Sequence, residues 1–540
     1  MTPSVRAATA ADLDDLVRVF LACWRTSYTA TLPPHLVASM TDDRARALWR
    51  GAAESVRPGE LLVAVDDGVT VGVTRYAVTG AGEGAVHSLY VHPDAQGRGA
   101  GGRLLAEAVR RLGERGVRAA RLWVFRDNAP SRRFYAAQGW VPDGAQRVQD
   151  EFGEPELRLT RQVPGPAEHP AVAAAVERIL EPGPSWTPPA GAVVMVRTPA
   201  GTFAHAAGDR LPGAAPMTVS AVHDLASVTK LVTTAMCLRL VSAGRLGLDD
   251  DVRAHLPSFA HAVTVRQLLL HRAGLWEWWP FYVGARHTDA AFEQLDTLPL
   301  RYPPDSARHY SDLGFMLLGR IVAAVTGGGL RAAVRDLVAE PLGLPTLGYG
   351  PRTDDELAAA AADGDDVERR MLATSAPYPV PFGPGDMDRW RDGPVIGTAA
   401  DGNAFHALDG VSGHAGLFAA APDLLAFAVA AAGTADSPLW DAATARTFLA
   451  EGPDAGQALG WRTDTLRAGP DTVELRYHPG YTGTTVAMVP GHGIAFVVAT
   501  NRLVTAGEPA TNDHLRQVAA AAVEDLLSAA SPVTTPTRYP

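Results

Sequence analysis

Residues 163–170 read VPGPAEHP, three prolines and a glycine in eight positions. Proline lacks a backbone N–H and fixes φ, so neither a helix nor a central strand can run through this stretch. It follows a strand-like segment, ELRLTR (156–161), and precedes a helical pattern, HPAVAAAVERIL (169–180). At 540 residues the chain is too long for one hydrophobic core. The break therefore predicts a first domain at 1–162, a linker at 163–170, a second domain at 171–530 and a disordered tail at 531–540. Charge differs across it. Residues 1–162 carry 21 Arg against 19 Asp and Glu, net +2; the remainder carries 27 basic against 40 acidic residues, net -13, which together give -11.

No apolar run reaches the roughly 18 residues that cross a bilayer, so no membrane partner is expected. Asp12, Asp14 and Asp15 stand where a signal peptide would be basic and then apolar, which predicts a cytoplasmic protein. Cys23 and Cys237 lie in apolar, helix-like contexts and read as buried reduced thiols. Neither half has a basic stripe able to neutralise a phosphate backbone, which excludes nucleic acid as a partner.

The first domain alternates helical and strand patterns. A helix over 10–22 precedes a hairpin over 61–78 that turns at Asp67-Gly68, a strand over 85–91, a helix over 101–116, a strand over 118–125 and a helix over 129–139. In the second domain a strand, GAVVMVRT (191–198), precedes the helix that carries LASVTK (225–230). Strands at 485–491 and 494–501 and a last helix over 514–527 follow. Residues 352–366, rich in Ala and Asp, and 371–395, rich in Pro and Gly, read as surface loops.

Within VHSLYVHPDAQGRGAGGRLL (86–105) a strand ends at Val91, Pro93-Asp94 sets a turn, and Gln96 to Gly102 leads into a helix. Glycines let backbone N–H groups converge on an anion, and the helix N-terminus adds the positive end of its dipole. Arg98 and Arg103 are placed to add charge. Downstream comes Asn128-Ala129-Pro130-Ser131-Arg132-Arg133-Phe134-Tyr135, followed by Gly139-Trp140. Together these segments resemble the GNAT acyl-CoA acetyltransferases over nearly all of 1–162. The resemblance implies a mixed αβ fold, acetyl-CoA as acetyl donor and an amine acceptor. It places Val91, Gln96, Gly97, Arg98, Gly99, Gly101 and Gly102 at the pyrophosphate, Asn128 at the pantetheine arm and Tyr135 as the acid that protonates the departing thiolate. For the base on the acceptor side, Glu83 and His87 are both candidates, and each also reads as an ordinary surface residue.

Lys230 is the only lysine in the chain. Arginine does not lose its proton in a protein, whereas a buried lysine can, so one lysine among arginines points to a base. Ser227 and Lys230, three residues apart, share one helix face at about 5–6 Å between Cβ atoms, and a neutral amine there can activate the hydroxyl. Further segments agree in order and spacing: VRQLLLHRAGL (265–275), YSDLGFMLLG (310–319), GVSGHAGLF (410–418) and HPGYTGT (478–484). With S-x-x-K they resemble the penicillin-binding-protein and class C β-lactamase-like serine hydrolases, in the esterase-like branch, over about 170–530. The resemblance implies an antiparallel sheet flanked by helices plus an all-α subdomain. Ser227 becomes the acylated nucleophile, Lys230 and Tyr310 share proton transfer, and His478 orients Tyr310 or substrate. The N–H groups of Ser227 and Tyr481 form the oxyanion hole, and Asp312 and Gly480 contact substrate.

Two departures stand out. Asp312 replaces the usual Asn and, ionised, cannot donate a hydrogen bond to a substrate carbonyl. His478 replaces the usual Lys, which weakens recognition of a substrate carboxylate. The expectation is a two-domain α/β, metal-free, bifunctional enzyme: an acetyl-CoA-dependent N-acetyltransferase and a serine esterase, amidase or peptidase. The alternatives are an acyltransferase, D,D-peptidase or β-lactamase in the second half, and an acyl-CoA-binding regulatory module in the first.

Overall fold

The computed structural model describes residues 3–529 apart from 31, 56–59, 81, 150–152, 354–355 and 434–438. The chain divides into two compact units, Met1–Pro166 and Ala167–Pro540. The expected tail at 531–540 lies outside the described residues.

The first unit is built on a seven-stranded sheet. Its strands are β1 (Ser4–Ala7), β2 (Leu61–Asp66), β3 (Val69–Gly80), β4 (Glu83–Val91), β5 (Ala119–Phe125), β6 (Val141–Val148) and β7 (Pro155–Gln162), in the order β1-β2-β3-β4-β5-β7-β6. The β2–β3 hairpin turns at Asp67 and Gly68, both at positive φ, as the Asp-Gly pair predicts. Alternation along β2 feeds two cores. Leu62 and Ala64 join one with α3 (Ala100–Glu114), while Leu61 and Val63 join the other with α1 (Leu13–Thr26) and α2 (Asp42–Ser55). A short helix, α4 (Ala129–Ala137), follows β5. Strands β4 and β5 form the parallel pair in this sheet, and their register runs only through Glu83–Ala85 against Ala119–Arg121. A cavity of about 370 Å³ is lined by residues of both strands beyond that point.

The second unit has its own seven-stranded antiparallel sheet. Its strands are β8 (Gly191–Thr198), β9 (Gly201–Leu211), β10 (Ala215–Pro216), β11 (Arg462–Ala468), β12 (Asp471–Pro479), β13 (Thr485–Val489) and β14 (Ile494–Thr500), in the order β10-β9-β8-β14-β13-β12-β11. Strands β13 and β14 are buried along their whole length, because helices cover both faces. On one face Ala487, Phe496 and Val498 pack with α5 (Pro170–Ile179) and α9 (Asn512–Ala529). On the other, Val486, Met488 and Val497 join the large core that holds α6 (Thr229–Ser242), α7 (Asp312–Thr326) and α8 (Ala421–Ala431). Cys23 and Cys237 are both buried and free. Among the described residues no single helix is long and apolar enough to cross a membrane.

The expectation of surface loops at 352–366 and 371–395 holds for most of 375–394, which is irregular and largely half-buried or exposed, and is corrected elsewhere. Ala359–Ala361 pairs with Val395–Ile396, and Ala358 to Ala361, Met387 and Val395 are buried. Asp366–Thr374 is a helix. The many Asp residues make the segment read as solvated, yet alanine is small enough to bury between them, and Asp365 is itself paired with Arg391 and His406.

Candidate active sites

The helix α6 is preceded by a single 3₁₀ turn, Ala226–Val228, which carries Ser227. The Asp224 carboxylate accepts the Ala226 N–H at 2.7 Å, and Ala226 sits at φ +44°, a costly conformation for a residue with a Cβ. The backbone is thus forced into a corner immediately before the serine. The Lys230 ammonium donates to Ser227 Oγ at 2.8 Å and to the His414 carbonyl at 3.3 Å. It also lies 2.7 Å from Asp312 Oδ1 and is itself wholly buried.

Burial by itself would strip that amine of its proton, but the Asp312 charge, and after it Tyr310, outweigh it. The amine is held above its ordinary value, as a cation. Of the two groups expected to share proton transfer, Lys230 is thus the charged one, and Asp312, expected at the substrate, lies against it. The Lys230 Nζ lies 5.1 Å from the centre of the Tyr310 ring, and the Arg462 guanidinium lies 5.8 Å from it on the same ring.

His478, at the end of β12, is buried with its ring centre 6.0 Å from that of Tyr310. Its Nδ1 donates to the Pro479 carbonyl at 2.8 Å. Burial and the charges of Lys230 and Arg462 push its titration well down, so the imidazole is neutral. The turn that follows is tied to the serine corner. Thr482 Oγ1 donates to the Asp224 carbonyl at 2.7 Å, and a Cβ on Gly480 would meet the Leu225 carbonyl oxygen at 2.4 Å, so only glycine fits. Tyr481 is thereby held beside Ser227. Among the described residues neither the Ser227 N–H nor the Tyr481 N–H has a hydrogen-bond acceptor.

Three groups at this site went unassigned from the sequence. His271, at φ +59°, packs its ring 4.7 Å from that of Tyr310 and accepts the Ser311 N–H at 3.0 Å. Arg308 stands close enough to Arg462 to feel its charge. A relay of Ser412, His414 and Asp401 lies behind Lys230, with contacts of 2.7 and 3.0 Å. The segments 265–275 and 410–418 contain His271, Ser412 and His414, but their chemistry depends on neighbours far along the chain. Donor atoms of Asp312, Asp401 and His414 lie within 4.8 Å of one another. Lys230 already occupies Asp312, and His414 already occupies Asp401.

In the first unit, Gln96 Nε2 donates to the Val91 carbonyl at 3.0 Å, which closes the turn between β4 and α3. Gly97 and Gly99 have left-handed φ values of +77° and +88°, and nothing stands within 4 Å of where their Cβ atoms would be. Gly99 is the N-cap of the 15-residue helix α3. Its first N–H groups and the exposed Arg98 are therefore available to an anion. Gly101 packs against Val91 and Phe134, and Gly102 faces Gln138. Arg103 instead donates to the Pro3 carbonyl at 3.3 Å.

Asn128 caps α4, its Oδ1 accepting the Ser131 N–H at 3.0 Å, and Asn128 and Tyr135 both line the cavity between β4 and β5. Of the two candidate bases, Glu83 is bound by the Arg121 guanidinium at 2.7 and 3.0 Å and does not line the cavity. His87 does line it. It is the extra residue of a bulge, since Arg75 pairs with Ser88 and Tyr76 with Val86. Burial and then the nearby Arg75 lower its titration from the ordinary value, leaving a neutral ring at pH 7.

A family model described as Beta-lactamase matches residues 177–521, and one described as Acetyltransferase (GNAT) family matches residues 15–140. The N-acetylmuramyl-L-alanine amidase of Bacillus subtilis (strain 168) is 31% identical over 316 residues, covering 53% of this chain and 69% of that protein. A putative D-alanyl-D-alanine carboxypeptidase of Escherichia coli (strain K12) is 30% identical over 321 residues, covering 53% and 70%. A solved class C beta lactamase from Rhodobacter sphaeroides aligns with a TM-score of 0.49 at 20% identity, covering 66% of this chain and all of that one.

Proposed function

The chain belongs to the beta-lactamase family, which accounts for residues 177–521, and carries a GNAT acetyltransferase domain at 15–140; from that premise we propose a cytoplasmic bifunctional enzyme. Its first unit transfers acetyl from acetyl-CoA to an amine. Its second cleaves an ester or amide through an acyl group on Ser227. Two buried, unpaired cysteines suit a reducing compartment.

The observation that carries the hydrolase reading is the 2.8 Å contact between Ser227 Oγ and a wholly buried Lys230. With Lys230 held as a cation, Tyr310 enters the step as its phenolate, takes the Ser227 proton as Oγ attacks the substrate carbonyl, and becomes the neutral phenol. The ammonium stabilises the charge that develops between them. The oxyanion falls to the Ser227 and Tyr481 N–H groups. Tyr310 then returns the proton to the leaving alcohol or amine, and water releases the acyl group. The two relatives above are named for an amidase and a carboxypeptidase, and Arg308 and Arg462 beside Tyr310 supply the positive charge that His478 does not. An amide or peptide substrate with a nearby carboxylate fits that wall.

For the first unit, the open N-terminus of α3 suits a pyrophosphate, and His87 and Tyr135 line one cavity as base and acid. Mass spectrometry of the intact protein after exposure to activated esters, D-amino-acid amides and penicillin tests the second unit. An acyl adduct is expected on the wild type and absent from Ser227→Ala. Absence of any adduct across the whole panel would reject the acyl-serine route.

A further inference from the structure

The cavity between β4 and β5 is also lined from α1 and α2, and much of its wall is aromatic: Phe20, Trp24, Tyr28, Trp49, Tyr90 and Phe125. Trp24 and Tyr28 are stacked with centroids 5.1 Å apart, and Phe20 meets Tyr90 edge-on at 5.1 Å. At about 370 Å³ it lies within the usual range for a small-molecule pocket.

Besides its tyrosines, four basic or acidic side chains line it: Arg75, His87, Arg147 and Glu156. Arg147 Nε is paired with Glu156 Oε2 at 2.7 Å and its guanidinium lies 4.3 Å from the Trp123 ring centre, so these two neutralise each other. Arg75 has no ion pair or hydrogen-bonded acceptor for its side chain among the described residues. Among the described residues the cavity therefore holds one uncompensated positive charge. Trp49 is 2% exposed, and its buried indole N–H has no hydrogen-bond partner. A buried donor without an acceptor is costly, and this one belongs to a residue that lines the cavity. Both features ask for an anionic acceptor atom in a pocket shaped for a ring or a bulky apolar group.

We propose that the acetyl acceptor is a free amino acid with an aromatic or large apolar side chain, its carboxylate held by Arg75 and the Trp49 N–H. The proposal rests on the acetyltransferase reading of the first unit. In the transfer, the amino nitrogen attacks the acetyl carbonyl carbon, the N–C bond forms and the C–S bond breaks. The departing thiolate takes the Tyr135 hydroxyl proton, and the proton leaving the nitrogen passes to His87. Arg75 takes no proton. It fixes the carboxylate so that the amino group faces the thioester.

Titration calorimetry on the full chain tests this with L- and D-phenylalanine, with phenethylamine, which keeps the ring and amine but lacks the carboxylate, and with acetyl-CoA. One enantiomer of phenylalanine is expected to bind at least tenfold more tightly than phenethylamine. Arg75→Gln should erase that preference and leave acetyl-CoA affinity unchanged, which also shows that the variant is folded. Trp49→Phe, which keeps the ring and removes the N–H, should weaken phenylalanine several-fold and phenethylamine hardly at all. Equal binding of phenylalanine and phenethylamine, or no binding of either enantiomer, overturns the proposal. So does loss of acetyl-CoA affinity in Arg75→Gln, because Arg75 would then serve the donor. Phenylalanine binding without acetyl-CoA binding would instead sink the acetyltransferase reading and the acceptor role with it, leaving the carboxylate subsite standing.

Discussion

Replacing Asp312 with Asn isolates what holds Lys230 charged. Asn is nearly isosteric but neutral, so the 2.7 Å ion pair is lost while the fold around it is kept. At that distance Coulomb's law gives an attraction of about 6 kcal/mol at an effective dielectric of 20. Against it stands the burial penalty on a side chain that is wholly excluded from water. With the carboxylate present the attraction wins, and the amine stays above its ordinary value. Without it burial is opposed only by the weaker influence of Tyr310, and a buried lysine that has lost its carboxylate partner titrates lower.

Two measurements follow. In denaturant the variant should lose about 3–5 kcal/mol at pH 7, the usual result of leaving one buried charge unpaired. The sign across pH is set by the raised wild-type amine. Its stabilisation is fully present below the unfolded lysine value of about 10.4 and is lost only as pH rises through the higher folded value. Stopped-flow acylation of Ser227 by an activated ester should show no lysine-dependent limb in the wild type between pH 6 and 9. The variant should show a rate that climbs with pH through the neutral range, as Lys230 becomes a base. An acylation profile identical to wild type, with stability unchanged within about 1 kcal/mol, would refute this account of the site.

His87→Ala should lower acetyl transfer at saturating amine by roughly a hundredfold or more, the range for loss of a general base, with the KM for acetyl-CoA unchanged. The wild-type rate should reach its plateau below the ordinary histidine value of about 6.5, because burial and Arg75 lower the ring's titration, and the variant should lack that limb. Glu368 is buried near Asp401, and its carboxyl titration is pushed up to about 8, with Oε1 accepting the Gly402 N–H at 2.6 Å. The folded protein thus holds a proton that the unfolded chain releases near pH 4.5, so stability falls as pH rises from about 4.5 toward 8. Thermal unfolding of Glu368→Gln should show that slope flattened and the variant more stable than wild type at pH 9. Parallel pH profiles for the two proteins would contradict the assignment.

The sequence by itself determined the elements and the pairs that lie close along them. Alternation in β2, the Asp67-Gly68 turn and the glycines before α3 are local, because side-chain direction and backbone φ repeat with each element's own period. The three-residue spacing likewise put Ser227 and Lys230 on one face. Reading solvent exposure from composition failed at Ala358 to Ala361, whose burial depends on pairing with Val395–Ile396. Only the tertiary structure decided what each group at the two sites can do. Glu83 and His87 sit on one strand, yet Arg121 from β5 binds the first, and the bulge and cavity claim the second. Lys230 looked like a base because it is the sole lysine, and Asp312, from the start of another helix, makes it a cation. Arg308 and Arg462 likewise meet at Tyr310 from separate segments. Protonation depends on burial and on the charges that folding brings within a few ångströms, and neither is fixed by any local spacing in the chain.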